Sequence, residues 1–197
     1  HCRSSLKKPF FLLLCLHMLV VGGEPEPLHS FKNLFTIGKM IEMPIDFSQK
    51  MENETFMTNG LFTYYSENQF KYVSHDQSIY FNQDTVWTQN HQTHQIIIDQ
   101  LMQGEFTFFS ILSGQFDGID FESPILEKGI FNFGYYISDW DVRGKLILYS
   151  DGHPKTITIQ GSDDQSILIS IGEIRHSSIE PFNAPYAGTW EVIDLRE

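Results

Sequence analysis

The spacing of hydrophobic positions changes along this chain, and each change marks a new kind of element. Phe10 to Val21, read as FFLLLCLHMLVV, is apolar at nearly every position. After the polar GGEPEP stretch, Leu28, Phe31, Leu34, Phe35 and Ile41 recur at intervals of three, four or six, with Lys32 and Lys39 between them. That spacing predicts one amphipathic helix from Leu28 to about Ile41, with Gly38 and Pro44 as its stop signals. From Met57 the period falls to two. Phe62 and Tyr64 share one face of a strand, Phe70 and Tyr72 share one face of the next, and Ser66 to Gln69 supply the turn. Ser78 to Phe81, then TVWTQ, then THQIII follow with short connections, which implies an antiparallel meander.

Gly104 to Gly114, GEFTFFSILSG, is an apolar run bounded by glycines. Periodicity does not separate helix from strand there, and its length favours a short helix. Strands return in GIFNFGYYIS, in KLILYS and KTITIQ around the turn DGHP, and in SILISIGEI after GSDD. The count is roughly eight to eleven strands against two or three helices. The expected fold class is α+β: a strongly curved, unclosed antiparallel β-sheet, a half-barrel, with a hydrophobic concave face capped by helices. At 197 residues there is room for one such domain, expected over 24–197.

The first 23 residues are expected to be a separate piece. Arg3, Lys7 and Lys8 precede the apolar run, and GGEPEP follows it. Spanning a bilayer takes about 20 apolar residues, so this shorter run reads as a secretory signal peptide cleaved near Gly23, with an uncleaved anchor as the alternative. Cys2 and Cys15, the two cysteines of the chain, fall inside it. The exported domain then draws its stability from a packed core and not from disulfides. Cys15 is preceded by leucines instead of small residues, which argues against lipid attachment there. The formal net charge is −12, and losing three basic residues with the leader makes it more acidic. Such a surface repels phosphate backbones and anionic headgroups and argues against nucleic acid as a partner.

Chemistry-bearing motifs are sparse. His91 and His94, with His75 upstream, lie on a strand-turn stretch without cysteine or a helical HExxH-type partner, so turn residues are the expected role and no metal site is assigned. The chain has no GxSxG elbow, and Asp117 with Asp120 is one chance pairing among 25 acidic residues. No catalytic residue and no cofactor are expected. Asn53-Glu54-Thr55 fits a glycosylation acceptor, a pattern common by chance. What stands out is the aromatic load, 17 Phe, 8 Tyr and 3 Trp. These rings either fill an ordinary core or line a partly unfilled curved sheet able to hold acyl chains at about 0.8 kcal/mol per buried methylene.

The order of elements resembles the outer-membrane lipoprotein carrier (LolA) family of Gram-negative bacteria. Phe47 and Gln49 match its Phe-x-Gln after the first helix, Gly60 its strand-opening glycine, Phe70 with Tyr72 its aromatic pair, and Trp87 its closing tryptophan. EFTFFSILSG is similar to its apolar segment after the fifth strand, and PFNAPYAGTWEVID to its final motif, so the likeness spans Leu28 to Asp194. Ser66, Glu67 and Asn68 stand where the family has an arginine- and proline-containing turn, and Gln83 with Asp84 where a glycine is expected. In the family, as the resemblance implies, that arginine helps hold a lid over the cavity, so the usual gating is in doubt.

The resemblance implies a monomeric periplasmic carrier. It would take an acylated lipoprotein cargo from an inner-membrane ATP-driven exporter, shield its acyl chains, and pass it to an outer-membrane lipoprotein receptor. A carrier of another acylated lipid or glycolipid, and a non-carrier regulatory module of the same fold, remain alternatives. Strand parity selects Phe62, Tyr64, Phe70, Tyr72, Ile79, Phe81 and Trp87 as cavity lining, and Phe106, Phe109 and Leu112 as the lid.

Overall fold

A computed structural model describes residues 25–36, 38–51, 54–101, 108–161, 165–178 and 180–196. The expected leader, Asn53 and Phe106 lie outside the described residues. Helix α1, Glu26–Leu34, opens on Pro25 with Pro27 in its first turn, where a missing N–H costs nothing. It ends earlier than the spacing predicts. Gly38 takes a positive φ of 62°, and strand β1, Met40–Met51, follows, with Ile41, Met43 and Ile45 alternating inward and Met40 buried on the opposite face. Four apolar residues assigned to the helix or its exit therefore belong to the sheet.

Among the described residues the sheet holds fourteen strands in the order β14-β6-β5-β4-β3-β2-β1-β12-β11-β10-β9-β7, with β13 on β1 and β8 on β9. Its first half is a meander: β2 (Glu54–Ser66), β3 (Gln69–Ser74), β4 (Gln77–Asn82), β5 (Thr85–Asn90) and β6 (Gln95–Gln100). Helix α2 (Phe108–Leu112) leads to β7 (Asp120–Phe121), β8 (Ile125–Glu127), β9 (Ile130–Ile137), β10 (Val142–Tyr149), β11 (Pro154–Gln160) and β12 (Ser166–Ile171). β13 (Arg175–Ser177) and β14 (Glu191–Asp194) complete it. The count exceeds the expected range because several strands, such as β7 and β8, are only two or three residues long. The pairing is antiparallel except at one edge, where β14 runs parallel to β6.

Pro44 sits in the middle of the sheet, a position that normally excludes proline. Pairing on that side of β1 passes from β13, which ends at Glu42, to β12, which begins at Ile45. The imide nitrogen falls in the gap, and the Pro44 carbonyl accepts from Gly172 N–H at 2.8 Å. No ladder bond is lost.

One face of the sheet carries the core. Cross-strand register places Met43, Phe62, Tyr72 and Ile79 in one row and Ile41, Tyr64, Phe70 and Phe81 in the next. A further row runs through Phe133, Leu146, Ile157, Ile169, Phe47 and Thr58. α1 supplies Leu28 and Phe31 to this layer, and α2 supplies Phe109, Ile111 and Leu112. The opposite face of β2–β4 is crossed by the irregular chain before β14, with Phe182 edge-on to Tyr65 at 5.4 Å and to Tyr80 at 6.5 Å.

Candidate functional site

Period two along β2, β3 and β4 puts a wall of rings on the concave face. Phe70 stacks on Phe81 at 4.5 Å and meets Phe62 at 5.7 Å. Phe109 of α2 plugs this wall: its ring stacks on Phe62 at 5.7 Å, tilts on Phe70 at 4.8 Å and reaches Tyr72 at 6.3 Å. Phe108 turns the other way, onto Phe47 at 5.7 Å. Phe62, Leu112 and Ile111 are wholly buried. In this form the wall is in contact with the chain's own side chains.

α2 is short because it is stopped. Gly114 has a φ of +72°, its N–H donates to Ile111 O, and Gln115 N–H donates to Ser110 O. These are the two bonds of a Schellman cap, which a glycine enters without steric cost. A Cβ on Gly114 would sit 2.9 Å from the Phe35 ring, so the helix end lies directly against the residue that follows α1. Phe35 in turn meets Tyr64 at 4.9 Å. Gln115 Nε2 donates to Glu67 O at 2.6 Å. The turn that lacks arginine is thus tied to the α2 segment by a neutral amide.

Six of the seven lining candidates, Phe62, Tyr64, Phe70, Tyr72, Ile79 and Phe81, share the concave face by register. Trp87 does not. The two-residue loop Gln83-Asp84 pairs Asn82 with Thr85, which sets Val86 opposite Phe81 and Trp87 opposite Tyr80, on the other face. Val86 and Thr88 take the inward positions. Of the lid candidates, Phe109 and Leu112 lie on the aromatic wall and Phe106 is outside the described residues. Parity reasoning stopped short of the second half of the face, although the alternation in IFNFGYYI and KLILYS already carries that signal.

Burial is the first cause of the raised pKa of the Tyr64 and Tyr72 phenols; Glu67 adds to it for Tyr64, while Thr58 and Ser74 partly offset it for Tyr72. Tyr135 is shifted upward more strongly by burial alone, and its hydroxyl donates to Thr158 O at 2.8 Å across the bare backbone of Gly144. All three therefore remain neutral donors at physiological pH.

The histidines are occupied by the fold. His91 Nδ1 bonds His75 O and its Nε2 bonds Ser78 Oγ, both at 2.9 Å. His94 packs on Trp190 at 5.1 Å. Ser78 is buried, and its hydroxyl is engaged by His91. Among the described residues no group of three His, Cys, Asp or Glu is placed to hold a metal, and no helix is long and apolar enough to cross a membrane. Two open hollows lie on the outer face. One of about 670 Å³ is lined by Tyr136, Arg143, Lys145, Thr158 and Gln160, and one of about 380 Å³ by Asp46, Ser48, Met57 and Asn59. Their mixed polar walls differ from the aromatic concave face.

Among the described residues the fold is an unclosed, mostly antiparallel sheet packed over two helices. A conserved, uncharacterised protein from Thermus thermophilus has a similar structure, with a TM-score of 0.54 at 8% identity over 86% of this chain and 97% of that one. That likeness shows a shared fold. A LolA superfamily protein from Nitrosomonas europaea aligns with a TM-score of 0.45 at 7% identity over 78% of this chain and 93% of that one. An outer membrane lipoprotein-sorting protein domain from Vibrio parahaemolyticus aligns with a TM-score of 0.45 at 8% identity over 77% and 91%. No protein-family model and no curated protein sequence matches this chain.

Proposed function

We propose that the protein is a monomeric periplasmic carrier that shields the acyl chains of lipoproteins on its concave face and moves them from the inner to the outer membrane. It would accept cargo from an ATP-driven exporter and yield it to an outer-membrane receptor. One observation carries this reading: the aromatic wall is covered by a five-residue helix, whose buried apolar side chains a bound acyl chain would replace. Burying Phe109, Ile111 and Leu112 is worth about 1.5–3 kcal/mol each, and about ten methylenes at about 0.8 kcal/mol each give a similar total. Exchange is then close to balanced, which a carrier needs, because cargo held too tightly is never delivered. The acidic surface, at a formal −12, fits docking to basic faces of membrane partners and discourages adsorption to anionic lipid.

A second reading, a non-carrier module of the same fold, is favoured by the same face being already filled by the chain's own side chains. Native mass spectrometry of the protein purified from periplasm without detergent separates the two. The carrier reading expects acyl adducts, or uptake of an added triacylated peptide, and their loss in Phe70→Glu. A clean apo mass that persists after incubation with the peptide supports the module. Growth rescue of a carrier-depleted Gram-negative strain then separates lipoprotein cargo from another acylated lipid.

A further inference from the structure

The concave wall contains a polar atom that the fold leaves unsatisfied. Tyr72 is 3% exposed, and its buried hydroxyl makes no hydrogen bond of good geometry, although the Thr58 and Ser74 hydroxyls lie close enough to lower its pKa. The ring lies over Gly60, where a Cβ would stand 2.5 Å from Cε2 and 2.8 Å from Cζ. The missing side chain makes the recess that admits the phenol. Thr58 and Ser74 flank it on the same face, since Thr58 lies two residues from Gly60 and Ser74 is paired with it. Ser74 is spent on its own turn: its Oγ donates to Gln77 O at 3.0 Å and accepts from Gln77 N–H at 3.2 Å. Thr63 Oγ1 is also buried without a partner, but Thr63 is paired with Lys71 on the outer face.

A buried donor without an acceptor is a standing cost to a fold and is rare enough to require a reason. Here the reason is supplied by position. Phe109 of α2 packs against the Tyr72 ring, at 6.3 Å between rings. A chain that displaces α2 meets a mainly aromatic wall that carries the hydroxyls of Tyr64, Tyr72, Thr58 and Ser74, and of these the Tyr72 hydroxyl is the one buried without a partner. The phenol is neutral, so its O–H is available to donate to a ligand acceptor such as a carbonyl oxygen.

We propose that Tyr72 Oη donates a hydrogen bond to a carbonyl oxygen of the bound molecule, so that the site selects chains joined through an ester or amide over the same chains joined through an ether. This rests on the carrier reading above. A carbonyl oxygen offers two outward lone pairs to a fixed donor, whereas an ether oxygen between two alkyl chains is a poorer and more hindered acceptor. The hydroxyl then gives an otherwise non-directional apolar wall a register for the head-proximal end of the chain.

The test compares equilibrium binding of a diacylglyceryl-cysteine peptide and its dialkyl ether analogue, of equal chain length, to the full chain and to Tyr72→Phe. The wild type should prefer the ester probe about tenfold, and in Tyr72→Phe that preference should vanish. Equal wild-type binding of the two probes overturns the proposal while leaving the carrier reading standing, as does a preference that survives in Tyr72→Phe. Failure of the wild type to bind either probe overturns the carrier reading itself, and Tyr72 with it. Thermal unfolding adds an independent check. Removing an unsatisfied hydroxyl should leave Tm unchanged or raise it, and a fall of several degrees would mean that the phenol already has a partner in the free protein.

Discussion

The two halves of the concave face are made of different side chains and closed in different ways. Over β9–β12 the wall is mainly aliphatic, with Leu146, Leu148, Ile157 and Ile169 fully buried. α1 lies on the turn after β10 so closely that a Cβ on Gly152 would stand 2.4 Å from Ser30 Cβ and 2.9 Å from Phe31 N. That is backbone seated on backbone, and no ligand can slip between. Over β2–β4 the wall is aromatic, and its cover is a five-residue helix whose ties are ring contacts and the Gln115 amide to Glu67. A helix this short has no stability of its own and persists through tertiary contact alone. On the carrier reading, the contrast makes one half permanent core and the other a surface held closed by exchangeable contacts.

The comparison breaks most visibly if the aliphatic half is weakened. Leu146→Ala should cost about 2–5 kcal/mol of global stability, the range for a large-to-small change at a fully packed site, read as a fall in urea midpoint with an unchanged slope. Phe109→Ala removes a ring of comparable burial from the other half. If α2 is held independently, the loss is capped at the net free energy that keeps it down, below the global stability, and acyl-peptide affinity should rise about tenfold because the competing side chain is gone. A Phe109→Ala protein as destabilised as Leu146→Ala, with no gain in binding, would erase the distinction. Gln115→Ala should loosen α2 by about 0.5–1.5 kcal/mol, the worth of one hydrogen bond, visible as faster amide exchange at 108–112 with the sheet unaffected.

The smallest effect concerns the far edge. Asp194 is held down to about 2, first by its side-chain bond to Arg196, which closes at 2.6 Å. Because this pKa is depressed, whatever the pair adds to anchoring β14 is present above the ordinary aspartate range and lost as pH falls from about 4 towards 2. Both groups are exposed, so salt should screen the effect. Protection factors of the β14 amides, corrected for intrinsic exchange, should be lower at pH 2 than at pH 5, and Asp194→Asn should flatten that step.

Much of the aromatic wall was legible because alternation within a strand is rigid: once Phe62 faces inward, Tyr64 must, and likewise Phe70 with Tyr72. Parity does not carry across a hairpin unless the loop length is known. The loop at Gln83-Asp84 holds two residues, with Gln83 at a φ of +61°, and that count sends Trp87 outward and Val86 inward. Gln83 takes the backbone conformation for which a glycine was expected, so the missing glycine did not remove the turn. The helix prediction overran because Phe35 and Ile41 are compatible with a helical stripe and equally with a strand after a Gly38 break. The Gln115 tie joins residues 48 apart, and the parallel pairing of β14 with β6 joins segments farther apart still. Neither leaves a local pattern to read.

Hydrogen exchange of the full-length protein, with and without a saturating triacylated peptide, tests most directly whether α2 covers an exchangeable face. The account predicts that amides of Phe108–Leu112 exchange well before those of β10 and β11 in the free protein, and faster still once the peptide is bound, while β10 and β11 stay protected. If α2 exchanges as slowly as β10 and β11 and the peptide changes nothing, the aromatic wall is ordinary core and the carrier reading is contradicted.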